Sequence, residues 1–201
     1  MLNPKQTAIV LIGYQNDYFA ADGILNSALE DKVQVSYALI NTIELLNELF
    51  LTPVAFITAP IIFTPSYEEL PDPVGILKII KEVGAFKAGT AGAELIDEMK
   101  RFGDRIINVP GKRGLNAFSN TDLHSVLQKR GIRNVVFAGI VTSLCIDSSA
   151  RQAADSGYRA YVLTDCTAGR TSIEQDFYCK EVFPLYANVI TKDALLQALN
   201  Q

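Results

Sequence analysis

The chain alternates between two hydrophobic periods. Short runs that are apolar at nearly every position recur at Ala8–Ile12, Val54–Thr58, Arg105–Val109, Asn134–Gly139, Ala160–Thr164 and Ala187–Ile190. Such runs predict strands covered on both faces, as in a parallel sheet. Between them the period lengthens to that of a helix. Val35, Leu39, Ile43, Leu46 and Phe50 make one stripe; Leu95, Ile96 and Met99 make another, stopped by Gly103. The stretch SNTDLHSVLQKRG offers Ser119, Asn120 or Thr121 as a cap, runs through Leu123, Val126 and Leu127, and ends at Gly131. A helix of small residues is predicted from Ser143 to Ser156, and another from Ser172 to about Phe183. Alternation of this kind along residues 1–201 predicts one domain of the α/β class. Its expected form is a three-layer α/β/α, Rossmann-like arrangement with a mostly parallel sheet.

The least regular stretch is Ala59 to Ala93, with Pro60, Pro65, Pro71 and Pro73 and a short helix predicted at Ile76–Val83. Two readings stand for it: a cover folded over a pocket, or an ordinary surface excursion. In open parallel sheets ligands bind beyond the carboxyl ends of the strands, where the strand order reverses. That directs attention to Gly13–Asp17, Thr58–Pro60, Pro110–Arg113, Ile140–Cys145, and Asp165 with Cys166.

Composition narrows the partners. A hydrophobic content of 49% with 20% charged residues describes a folded chain, and a net charge of −4 speaks against nucleic acid or an anionic membrane surface. No apolar run is long enough to span a bilayer, and the N-terminal stretch lacks the features of a signal peptide. Three cysteines, Cys145, Cys166 and Cys179, without CxxC spacing point to reduced thiols and a cytoplasmic location. The one histidine, His124, is expected on the solvent side of its helix. A protein-only zinc site and a Ser-His-Asp triad are therefore not expected, and neither is a cofactor.

The segment FAGIVTSLCIDSSARQA runs from a strand through a tight turn into a helix, placing Cys145 in the first helical turn. The positive end of a helix favours thiolate over thiol, and its free N–H groups can hold an oxyanion. A cysteine among small residues is also a common inert core residue. Lys112 and Arg113, in VPGKRGLNAF, are solvated loop charges in the plain reading; a lysine beside a nucleophilic sulfur would stabilise its anion.

Four segments together resemble the isochorismatase-like cysteine hydrolases, which include nicotinamidases and N-carbamoylsarcosine amidohydrolase relatives. They are IVLIGYQNDYF, FKAGTAGAELIDEM, GKRGLNAFSNTDLHSVLQKRGI and VVFAGIVTSLCIDSSARQAADSGYRAYVLTDCTAG. The resemblance implies a six-stranded parallel sheet in the order 3-2-1-4-5-6 and a homodimer or larger homo-oligomer. It implies Cys145 as nucleophile, Lys112 as its cationic partner, and the Val141 and Cys145 N–H groups as the oxyanion hole. It also implies a cis peptide between Ile140 and Val141. The family's third catalytic group is an aspartate at the end of the first strand, and the matching position here is Gly13. Asp17 and Asp165 are expected to be structural rather than replacements. The missing role is open to a substrate carboxylate in the space beside Gly13 or to Lys112 itself. If only the base is missing, Gly13→Asp is expected to raise amidase activity. The nicotinamidase branch holds a metal through Asp and His after the second strand, and FITAPIIFTPSYEELPDP has no histidine, so no metal is expected. Tyr14, Tyr18, Phe19, Phe63, Tyr67 and Phe118 are read as core or cover packing. The expected function is hydrolysis of a small amide or carbamoyl-type C–N bond through a Cys145 thioester. The alternative is a catalytically impaired relative that binds a small molecule or protein.

Overall fold

The computed structural model describes residues 2–200. Its six strands are β1 (Thr7–Ile12), β2 (Ala55–Thr58), β3 (Ile106–Asn108), β4 (Asn134–Ile140), β5 (Arg159–Ala168) and β6 (Asn188–Ile190). They form one all-parallel sheet in the order 3-2-1-4-5-6. Every residue of β1 and of β4 is buried, which is why these runs are apolar without alternation. Successive residues still point to opposite layers. Val10, Ile57 and Phe137 share a core with Leu123, Leu127, Ala150 and Ala153; Ile9, Leu11 and Phe56 share the other with Leu45, Leu46 and Leu195.

The helices are α1 (Asn16–Phe19), α2 (Lys32–Glu48), α3 (Gly75–Val83), α4 (Asp97–Lys100), α5 (Leu123–Lys129), α6 (Asp147–Asp155), α7 (Ser172–Phe177) and α8 (Lys192–Asn200). Asp31 caps α2 by accepting the Gln34 N–H at 3.0 Å, and the helix buries Val35, Ala38, Thr42, Leu45 and Leu46. Phe50 lies past its end and is exposed, so it does not complete the expected stripe. Leu95 and Ile96 are not helical. Leu95 bridges Gln15, and the Ile96 N–H donates to the Tyr14 carbonyl at 3.1 Å, leaving one turn as α4. The small-residue helix is divided into a π-helical turn, Thr142–Ile146, and α6. His124 is half-buried rather than on the surface, with Nδ1 3.0 Å from the Tyr158 hydroxyl.

The sequence pattern did not predict α8. Asp165 caps it, both carboxylate oxygens accepting the Lys192 N–H at 2.8 and 3.1 Å, while Leu195 and Leu199 are buried. Asp165→Ala is expected to cost about 1 kcal/mol in urea unfolding, the usual loss for a helix cap. Among the described residues no helix is long and apolar enough to cross a membrane.

β1 and β4 pair up to Ile12 opposite Gly139, so their carboxyl ends finish side by side at the point where strand order reverses. The stretch from Ala59 to Ala93 packs over these ends as a cover. Phe63 pairs with the backbone on either side of Lys87, and Ile61, Phe63, Tyr67 and Phe86 form one cluster with Ile140, Val141 and Tyr18. Gln15 ties it down: its Nε2 donates to Ile61 O at 2.9 Å and Ala93 O at 2.7 Å, and its Oε1 accepts the Ile61 N–H at 3.0 Å.

Candidate active site

Where β4 ends, the chain passes through a cis Ile140–Val141 peptide into the π-helical turn that carries Cys145. The Val141 carbonyl accepts the N–H groups of Leu144 and Ile146, at 3.1 and 3.2 Å. The Val141 N–H meets no acceptor among the described residues. Two hydroxyls at the start of the turn are held from α7. Thr142 Oγ1 donates to Gln175 Oε1 at 2.5 Å, and Ser143 Oγ donates to Glu174 Oε1 at 2.6 Å. Gln175 is fixed in turn through its Nε2, which donates to Thr164 O and Thr167 Oγ1 at 3.1 Å each. The turn that carries Cys145 is therefore braced by a neighbouring helix whose polar residues gave no sign of this in the sequence.

Lys112 reaches the same place from the loop after β3. Its backbone bridges Ile61 of the cover, and its Nζ lies 3.5 Å from Cys145 Sγ. Both side chains are enclosed: Lys112 is 1% exposed and Cys145 5%. Sγ is the one hydrogen-bond partner of that Nζ among the described residues. A buried ammonium with neutral neighbours is costly, whereas one beside an anion is compensated. The lysine is thus no solvated loop charge. Arg113, next to it, turns away, bonding Ile62 O and pairing with Glu69 at 2.9 Å, and so anchors the cover.

Gly13, at the end of β1, has φ +77°, a conformation that side chains with a Cβ rarely adopt. A Cβ built there would lie 2.6 Å from the Ile140 carbonyl oxygen and 2.9 Å from Ile140 Cγ1. The space that a side chain at position 13 would enter is taken by Ile140, at the end of β4. It is not open space, which disfavours the substrate carboxylate as one of the two alternatives for the missing role. Asp17 is committed elsewhere: its Oδ2 accepts the Phe86 N–H at 2.5 Å, and its carboxylate lies so close to Gly92 that no Cβ fits between them. Of the aromatics, Tyr14 is core, with its hydroxyl 2.7 Å from Thr42 Oγ1. Phe63 and Tyr67 belong to the cover, and Phe118 packs near Tyr158 in the core layer of α5.

Among the described residues no three His, Cys, Asp or Glu side chains gather in a group that could hold a metal ion. A cavity of about 560 Å³ lies at the ends of β2 and β3, lined by Thr58, Pro60, Ile62, Met99 and Asn108 among others. It does not include Cys145 or Lys112, and its size alone does not make it the site of chemistry.

The isochorismatase domain model matches residues 7–194. The chain belongs to the isochorismatase family. The ureidoacrylate amidohydrolase RutB of Rhizobium rhizogenes is 31% identical over 179 residues, covering 83% of this chain and 72% of that protein. Nicotinamidase 3 of Arabidopsis thaliana is 28% identical over 167 residues, covering 83% and 75%. A cysteine hydrolase from Pseudomonas syringae pv. phaseolicola superposes with a TM-score of 0.83 over 98% of this chain and 93% of its own, at 18% identity, a likeness of fold. With hydrolases as relatives over most of its length, this isochorismatase-family chain is a hydrolase.

The other two cysteines are held as neutral thiols. Burial, and then Asp165, push the Cys166 thiol well above its ordinary range; burial and Asp176 push Cys179 up to about 11. Alkylation requires the anion. Iodoacetamide near pH 7 is therefore expected to modify Cys145 alone, as peptide mass mapping would read.

Proposed function

We propose that the protein hydrolyses a C–N bond of a small amide or carbamoyl-type substrate through a thioester on Cys145. One observation carries this: inside the protein, the Lys112 ammonium has the Cys145 sulfur as its hydrogen-bond partner, at 3.5 Å. The sulfur attacks the substrate carbonyl carbon, and the carbonyl oxygen becomes an anion held by the Val141 and Cys145 N–H groups. The C–N bond breaks, and the departing nitrogen takes a proton from Lys112. Water then cleaves the thioester, and its protons restore Lys112 and release the acid. Lys112 thus does two jobs, stabilising the sulfur anion and supplying the proton that an aspartate at position 13 supplies in the family pattern. The site works without a metal or cofactor. We infer further that it acts in the cytoplasm as one domain spanning 1–201, in a homodimer or larger homo-oligomer.

Ammonia release from ureidoacrylate, nicotinamide and simple carbamoyl compounds tests this, with Cys145→Ala as the blank. Release above the blank supports hydrolysis. Release equal to the blank across the panel supports the second reading, a binding protein that has lost its acid/base group; Gly13 is the observation that favours it.

A further inference from the structure

The cavity at the ends of β2 and β3 shares one wall with the surroundings of Cys145, and that wall is an extended segment. Thr58, Pro60 and Ile62 line the cavity, whereas Ile61 and Phe63 belong to the cluster of Ile140 and Val141, which lead to Cys145. The segment thus alternates like a strand, one face to the cavity and the other to the reactive turn. Ile62 is its tie to Lys112. The Ile62 N–H donates to the Lys112 carbonyl at 3.3 Å, and the Ile62 carbonyl accepts from Arg113. A molecule packed on the Ile62 side chain therefore favours the backbone position in which Lys112 is held.

The lining selects a class of ligand. A volume of about 560 Å³ is that of an ordinary small-molecule site. Leu95, Met99 and Ile106 make much of the wall apolar. Its two charged residues, Glu94 and Lys100, pair with each other at 2.8 Å, and Lys100 also meets Asp97 at 3.4 Å. The wall thus offers a carboxylate no free cation among the described residues. One polar group is uncommitted: the Asn108 side-chain amide, on the edge strand β3, has no partner among the described residues. The Val109 N–H bonds Thr58 O at 2.8 Å, so parallel pairing turns the backbone N–H and C=O of Asn108 the other way, to the free edge. Donors and acceptors side by side match an amide.

We infer that this cavity binds an uncharged amide with an apolar body, and that its occupancy raises the reactivity of Cys145 through Ile62 and Lys112. Such a ligand has the chemistry of the proposed substrate; the acid product, ionised near pH 7, is refused. The inference rests on the reading of Cys145 and Lys112 as the reactive pair.

The probes are benzamide and benzoate, which share a ring and differ in charge. Binding is read on Cys145→Ala, which turns nothing over, from the backbone amide signals of Leu95, Met99 and Ile106 in nuclear magnetic resonance spectra. Benzamide is expected to shift these signals, and benzoate at equal concentration to leave them in place. Asn108→Leu is expected to weaken benzamide binding about three- to tenfold, the worth of one hydrogen bond. Reactivity is read on the protein with its cysteine: saturating benzamide is expected to raise the rate of Cys145 alkylation by iodoacetamide about fivefold, the low end of couplings between sites. Ala88→Trp, which fills the cavity from its wall, is expected to abolish both the shifts and the benzamide-dependent rise. If that variant unfolds more easily than the native protein, Asn108→Leu decides, by needing about three- to tenfold more benzamide for the same rise. Absent shifts, equal shifts with benzoate, binding without a rise, or a rise that neither variant alters would each overturn the inference. A Cys145 that alkylates no faster than free cysteine with or without benzamide would sink the reading of the reactive pair, and the activation with it, even where the signals show the cavity occupied.

Discussion

Cys145→Ser lowers hydrolysis of any amide the native protein cleaves by at least about 10³-fold, the expected loss when a nucleophile is replaced by one that nothing nearby activates. Serine fits the space of a side chain that is 5% exposed, so the fold should survive. The chemistry should not. A serine hydroxyl needs a base to attack a carbonyl, and Lys112 in its ammonium form offers none. Steady-state ammonia release and thermal unfolding, measured together, separate loss of function from loss of structure. A Cys145→Ser protein that retains more than about a tenth of native activity would mean that the reaction runs through water activated elsewhere.

The second large effect is on stability. Gly13→Asp is expected to destabilise the protein by roughly 2–5 kcal/mol, the sum of a left-handed backbone penalty and an overpacking penalty. Gly13 has φ +77°, and a Cβ there would press on the Ile140 carbonyl at 2.6 Å. Resemblance alone makes this substitution look like a restoration of the family's carboxylate, with a gain of activity. Geometry reverses that expectation, because the backbone that should carry the carboxylate is shaped around having no side chain. Gly13→Ala should cost nearly as much, since the collision begins at Cβ. Urea unfolding of both variants checks the point. A Gly13→Asp protein as stable as the native one and faster on amides would show that the turn can rebuild itself around a carboxylate.

Much of this was legible in the sequence, for identifiable reasons. β1 and β4 are central strands buried at every position, so their composition announces them; the sheet order followed from the family resemblance. The pairing of Lys112 with Cys145 was implied by the family resemblance, and the structure brings the two to 3.5 Å. Features set by tertiary contacts were hidden. Leu95 and Ile96 have helical spacing but are claimed by Gln15 and Tyr14. Thr142 and Ser143 are braced by Gln175 and Glu174, more than thirty residues away, a partnership no local pattern encodes. α8 could have been found from the spacing of Leu195 and Leu199 behind a turn containing Asp193. The crowding at Gly13 depends on where Ile140 sits across the sheet, and a single chain read in one dimension does not carry it.

The proposal that Lys112 holds the Cys145 sulfur ready for attack is tested most directly by one rate. The measurement is the rate of Cys145 alkylation by iodoacetamide near pH 7 in native protein and in Lys112→Met, beside free cysteine. Methionine keeps most of the buried stem of Lys112 and removes the charge. Native Cys145 is expected to react at least about tenfold faster than free cysteine, and the variant to lose most of that advantage. Equal rates in native protein and variant, neither above free cysteine, would contradict it.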